Sequence, residues 1–262
     1  MTIANGVNIT KEYALLAASE LRYDPRVQRD AKPVKIETFS KKFDPMKLGT
    51  IIVAQRSEGG HWVIDGQHRS MAAQRAGYDG KIPAIVYSGL SLADEAEMFL
   101  AHNADSTNVN AVDNFKAAVT AGRPAEKECS EILSARGWRV RSGGMTGCLS
   151  AIQSVLKVHN EGGAAVIGRT IDAITNAWGH QVAGVNSSVV GGMGLVFAER
   201  GDDIEDKSLS AALEKVTPEM LLAQGRARKD ALGGGVRTHV ADAILTHYNK
   251  GRRSTKIKLV SK

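Results

Sequence analysis

The residues of this chain best equipped for chemistry stand together in Asp65-Gly66-Gln67-His68-Arg69, where an acid, an imidazole and a guanidinium fall within one short run. Trp62 to Asp65 reads as an apolar strand, and Gln67 to Ala76 as helix-forming residues closed by Gly77. A strand that turns through glycine into a helix offers backbone N–H groups at the helix start, an arrangement that binds anions. Arg69 adds a cation, and the group cradled would be a phosphate. An unperturbed imidazole titrates near neutral pH, so His68 could act as general base or phosphate-stabilising cation, with Asp65 as the catalytic or metal-holding carboxylate. The same residues admit a plainer reading in which Asp65 caps the helix, Gly66 makes the turn, and His68 and Arg69 are solvated.

Other motifs carry less. Ser142-Gly143-Gly144-Met145-Thr146-Gly147 is glycine-rich but lacks the Lys-Ser/Thr of a P-loop, and Gly201 to Asp206 has acidic charge without EF-hand spacing. No H-E-x-x-H or G-x-S-x-G run occurs, which leaves zincin and serine-hydrolase chemistry without support.

The elements that must position the motif follow from pattern. Ile51 to Gln55 and His61 to Asp65 form two strands joined by a Ser57-Glu58-Gly59-Gly60 loop, a β-hairpin. Ile82 to Tyr87 is a further strand with Pro83 near its start. Val34 to Phe43 places Val34, Ile36, Phe39 and Phe43 near a helical stripe, stopped by Asp44-Pro45. Ser91-Leu92-Ala93-Asp94 opens a helix that runs to about His102. Residues 11–21 fit strand or helix equally. From Ala111 onward the pattern becomes helices separated by glycine, with Arg123-Pro124 and Thr217-Pro218 as helix starts. The second half reads all-α. The expected organisation is an α+β chain: a small α/β domain over 1–115, a helical domain over 116–249 and a basic tail over 250–262.

Charge separates these parts. The net charge is +6, and the tail alone carries Lys250, Arg252, Arg253, Lys256, Lys258 and Lys262 with no acid, so residues 1–249 are neutral overall. Arg226, Arg228, Lys229 and Arg237 lie just upstream. Clustered cations of this kind supply the salt-sensitive part of nucleic-acid binding, and DNA is the expected partner. A disordered solubilising end is the bland alternative. No helix-turn-helix spacing is evident.

Composition bounds the rest. Hydrophobic residues make up 43% and charged residues 24%, enough for a buried core, while aromatic residues at 5% argue against an aromatic-rich sugar or peptide groove. The longest uncharged stretch, Gln181 to Ala198, is broken by polar residues and glycines, so no membrane span is expected. The segment Met1 to Thr10 has neither the basic nor the apolar region of a signal peptide. Cys129 and Cys148 stand apart, which fits two reduced thiols and a cytoplasmic protein.

Four pieces in order resemble the ParB/sulfiredoxin superfamily, in particular phage-encoded ParB-like nuclease-domain proteins with a DGQHR-type motif. They are Val27-Gln28-Arg29, Leu48-Gly49-Thr50-Ile51, Asp65 to Ala73, and His102-Asn103, together spanning roughly residues 20–120. The resemblance implies a compact α/β fold and a nucleotide of CTP or ATP type. Its phosphates would lie near Gly66, Gln67, His68 and Arg69, approached by Arg29, Gly49, Thr50 and Asn103. It also implies Mg²⁺ as a companion ion, a homodimer as one assembly, and a phage or mobile-element protein working in the cytoplasm of a bacterial host, on or with DNA.

The departures narrow this expectation. CTP-hydrolysing ParB proteins show Gly-Glu-Arg-Arg where this chain has Gly66-Gln67-His68-Arg69, and Glu-Asn-x-x-Arg where it has His102-Asn103-Ala104-Asp105-Ser106. Lost carboxylates favour a binding module over a CTP hydrolase. Asp65 and His68 keep open a metal-dependent nuclease or nucleotide phosphohydrolase. Sulfiredoxins carry a cysteine where Gln67 stands, which excludes sulfinic-acid repair through this motif.

Overall fold

The computed structural model describes residues 8–28, 30–103, 110–250, 252 and 256–260. Arg29, Arg253, Lys262 and the run Ala104-Asp105-Ser106 lie outside them. Contacts divide the chain into two units between Arg123 and Pro124.

The first unit is an α/β assembly. In chain order it holds β1 (Thr10–Ala17), β2 (Leu21–Arg22), α1 (Pro33–Lys41), β3 (Ile51–Gln55), β4 (His61–Asp65), α2 (Gln67–Arg75), β5 (Lys81–Ser88), α3 (Leu92–Asn103) and α4 (Ala111–Thr120). The strands form one mixed sheet in the order β1-β5-β3-β4-β2. β3 and β4 are the expected antiparallel hairpin, while β3 and β5 run parallel. Residues 11–21, open between strand and helix, are mostly the edge strand β1, paired antiparallel with β5.

Alternation along β3 explains why the sheet is covered twice. Ile51 and Val53 pack into one cluster with Val63, Ala73, Ile82 and Val86, whereas Ile52 and Ala54 join Ile64, Phe99 and Ala117 in another. Side chains of period two on a strand point to opposite faces, so a strand apolar at every position must be buried on both. Here α2 covers the first face and α3 with α4 the second. α1 lies against α2, and the expected apolar stripe is only partly realised: Val34 and Phe39 remain exposed, and no residue of α1 is buried.

α4 belongs to this unit, so a boundary at 115/116 would cut it. Its N-cap is Asn110, whose side chain accepts from the Val112 and Asp113 amides, and Thr120 donates to the Arg26 carbonyl. The Ser91–Asp94 capping box forms as expected: Asp94 accepts from the Ser91 amide at 2.9 Å, and the Asp94 amide donates to Ser91 Oγ at 3.2 Å.

The second unit contains α5 (Pro124–Ala135), β6 (Arg139–Val140), β7 (Cys148–Leu149), α6 (Ile152–Trp178), α7 (Ser187–Arg200), α8 (Asp206–Leu213), α9 (Pro218–Leu232) and α10 (Val236–Tyr248). It is helical, as expected, with one two-residue parallel ladder of β6 with β7 between its first two helices. This ladder closes the loop that reads as glycine-rich in sequence. α6 is interrupted at Gly163, whose φ of 72° is left-handed, so it consists of two helical segments. α10 packs against α7, α8 and α9. No described helix is long and apolar enough to cross a membrane.

Part of the basic tail is described and takes a defined place. Residues 256–260 lie against the second unit: Ile257 is buried, and the Asn249 side chain donates to the Ile257 carbonyl at 2.7 Å while accepting the Ile257 amide at 3.0 Å. The Val260 amide donates to Glu199. One apolar residue in a cationic run, given a partner for its backbone, is enough to fasten the segment.

Candidate phosphate site at the start of α2

β4 delivers Asp65 to the sheet end, and Gly66 turns the chain into α2 with φ +94°. No other residue fits there. A Cβ on Gly66 would stand 2.6 Å from Ile51 Cγ2, and the left-handed φ adds strain for any L side chain. The first backbone bond of the helix runs from Ser70 N–H to the Gly66 carbonyl at 2.9 Å. The amides ahead of it face the helix start, where the macrodipole is positive.

Around that start lies a cavity of about 210 Å³. Asp65, Gly66, Gln67, His68, Arg69 and Asn103 line it, so six of the residues expected at a phosphate site converge from β4, α2 and the end of α3. Gln28, Lys35, Phe39, Ile64 and Phe99 complete the walls. Gln28 is buried and donates through Nε2 to the Val63 carbonyl at 2.9 Å and to the Ile64 carbonyl, tying the segment after β2 to the strand that carries the motif. Asn103 donates to the Phe99 carbonyl at 2.7 Å. Arg29 falls outside the described residues.

Arg69 is less available than its place in the motif suggests. Nη1 donates to the Leu48 carbonyl at 2.7 Å and the Thr50 carbonyl at 3.3 Å, and Nη2 sits 3.2 Å from Asp65 Oδ2. Gly49 and Thr50 do not line the cavity. They seat this guanidinium instead: Gly49 has φ +66°, and a Cβ there would come within 2.9 Å of Arg69 Nη1. Arg69 therefore braces the loop before β3 and offers the cavity a charge already balanced by Asp65.

His68 is buried, and its Nε2 accepts the Lys32 amide at 3.2 Å. The lone pair a general base would use is engaged by the backbone that starts α1. Sequence reasoning missed Lys35, one turn into α1, which lines the cavity and forms no ion pair among the described residues. A single lysine on a half-exposed helix carries no signal until the fold places it beside another element.

The other feature missed is a buried charge network. Arg56 donates through Nε and Nη2 to both oxygens of Glu95, each at 2.7 Å, and through Nη1 to Asp24 at 2.9 Å, while stacking over Trp62. Arg26 also binds Asp24. Hydrogen bonds from Arg26, with Arg56 adding to them, hold the Asp24 carboxyl well below the usual carboxylate range, and Glu95 raises Arg56 above its ordinary value.

Among the expected nucleic-acid contacts, Arg237 is committed elsewhere. Its guanidinium pairs with Glu161 and its Nε donates to the Gly191 carbonyl at 3.0 Å, joining α10 to α6 and α7. Arg226 and Lys229 are exposed on α9. Arg228, Lys250, Arg252, Lys256 and Lys258 share one groove beside α10. Arg253 lies outside the described residues.

The chain belongs to a family of unknown function (DUF6551), whose model matches residues 24–260. Among solved structures it is similar to the C-terminally truncated chromosome-partitioning protein ParB from Caulobacter crescentus complexed with CTP-gamma-S, at 18% identity and a TM-score of 0.33, covering 66% of this chain and 97% of that one. It is also similar to the pNOB8-like ParB N-domain, at 14% identity and a TM-score of 0.36 over 86% of this chain and 78% of that one. No curated protein matches.

Proposed function

We propose that this protein binds a nucleotide by its phosphates at the start of α2 and acts on or with DNA through the cations of its second unit. One observation carries the first half: the 210 Å³ cavity joins a helix start, the Gly66 turn, Asn103 and the ammonium of Lys35. That volume lies below the roughly 300 to 1,000 Å³ of pockets that enclose a drug-sized ligand, so it suits phosphate groups with the nucleoside outside. The likeness of the DGQHR run to phage-encoded ParB-like domains supports the same ligand class and a mobile-element setting.

The alternative is a metal-dependent nuclease or phosphohydrolase working through Asp65 and His68, and it has less support. Among the described residues, Asp65 is the one carboxylate lining the cavity and pairs with Arg69, and no cluster of three metal-ligating side chains occurs. These residues do not by themselves build a Mg²⁺ site. Calorimetric titration of the full chain with ATP, CTP, GTP and UTP, each with and without Mg²⁺, tests the proposal. Saturable binding of at least one, abolished by excess pyrophosphate, is expected; no heat with any of the four would overturn it.

A further inference from the structure

A second site stands on the other unit. A groove of about 1150 Å³ runs beside α10, between the glycine turn that ends α9 and the fastened segment 256–259. Among the described residues, Arg228, Lys250, Arg252, Lys256 and Lys258 line it, against the single acid Asp242. None of these five cations forms an ion pair among the described residues. His247, on the same helix, is held below its ordinary value by burial first and then by Lys250 and Arg228, as expected where positive charge gathers.

The wall formed by the tail is ordered by alternation. Ile257 points inward and is buried, so its neighbours Lys256 and Lys258 point outward. Asn249, just past α10, clamps the Ile257 backbone from both sides of its amide. The cations of residues 256–258 are thus held in place along the groove.

We infer that this groove is a preformed seat for the phosphodiester backbone of duplex DNA, with the Asn249–Ile257 clamp setting the spacing of its cations. The inference rests on the DNA reading above and names where that reading is carried out. The excess of unpaired cations selects a polyanion, and among the described residues no Phe, Tyr or Trp lines the groove to stack an unpaired base, its one ring, His239, being held 2.7 Å from the Gly233 carbonyl. Backbone contact without base readout follows.

The test is fluorescence anisotropy of the full chain with a labelled 20-base-pair duplex and with the matching single strand, across a salt series. The double variant Lys256→Ala/Lys258→Ala should lower the log–log salt slope by about 1.8, from about 0.9 per phosphate contact. Asn249→Ala keeps every cation and should still weaken duplex binding about fivefold or more, because two long side chains must be ordered on binding. A free tail predicts no change for Asn249→Ala, and that result would overturn the clamp as well as the groove. Should Asn249→Ala fail to fold, the slope of the surface double variant decides alone. Wild-type duplex binding with an unchanged slope in the double variant would sink the groove and leave the DNA reading standing. No duplex binding by the wild-type chain, including a case where it binds phosphatidylserine vesicles instead, would sink both.

Discussion

The Nε2 of His68 accepts the backbone N–H of Lys32 at 3.2 Å, so the imidazole in the middle of the motif joins the start of α1 to the first turn of α2. A ring in this position orders two helices around a cavity, and its neighbour Arg69 does the same for the loop before β3. Two of the most reactive-looking side chains therefore act first as struts.

His68→Ala should destabilise the protein by about 1 to 3 kcal/mol, through the lost packing of a buried imidazole together with its part-buried bond to the Lys32 amide. Urea denaturation followed by circular dichroism measures it. A midpoint equal to that of the wild-type chain would show that the Lys32 bond contributes nothing.

Lys35→Ala should separate binding from stability. Loss of a charge-assisted contact worth about 1.5 to 3 kcal/mol weakens nucleotide affinity about tenfold or more, while Tm stays where it was. Arg69→Ala should lower affinity and Tm together, since its guanidinium also holds the Leu48 and Thr50 carbonyls. Calorimetry and thermal melts on the pair distinguish the two roles. Equal behaviour of the two variants would count against the assignment.

Much of the first unit is legible in the sequence because local pattern and tertiary demand agree there. The glycine between an apolar strand and a helix marks Gly66, and charge-flanked apolar runs mark β3 and β4. β1 is ambiguous because an edge strand needs only part of its surface buried, and Tyr13 and Leu15 stay exposed. The network of Asp24, Arg56 and Glu95 joins residues from three separate segments, and no spacing rule connects them. The fastening of residues 256–260 is hidden for the opposite reason: six cations dominate the composition, whereas a single isoleucine and a single asparagine determine the structure.

Arg56→Ala should cost about 3 to 5 kcal/mol, because it leaves the buried Asp24 and Glu95 carboxylates without their shared counter-ion. In the wild-type chain the depressed Asp24 value fixes the sign of the pH effect. Its stabilisation is fully present above about pH 4, the unfolded carboxylate value, and is lost as pH falls below that through the folded value. Denaturation midpoints collected from pH 7 down to pH 2 should fall on the acid side, and a flat profile would contradict the network.

Cys129 should be inert. Burial, with Glu128 and Glu126 adding to it, pushes its thiol up to about 12, and Cys148 is buried as well. At pH 8 the native protein should release no fast thiolate signal with Ellman's reagent, and both thiols should react after addition of guanidinium. Rapid modification of the folded chain would disprove the burial argument.

Among the described residues, the edge strand β1 has its sole neighbour far along the chain, Thr10 facing Ser88 and Ala17 facing Lys81. On a ribosome elongating at roughly 5 to 20 residues per second, Thr10–Ala17 therefore waits on the order of 4 to 15 seconds for its partner to be made. During that interval Tyr13 and Leu15 travel on an unpaired ribbon, and β5, once synthesised, must pair with β3 along one edge and β1 along the other. Nascent chains stalled before residue 81 would be the form most in need of a chaperone.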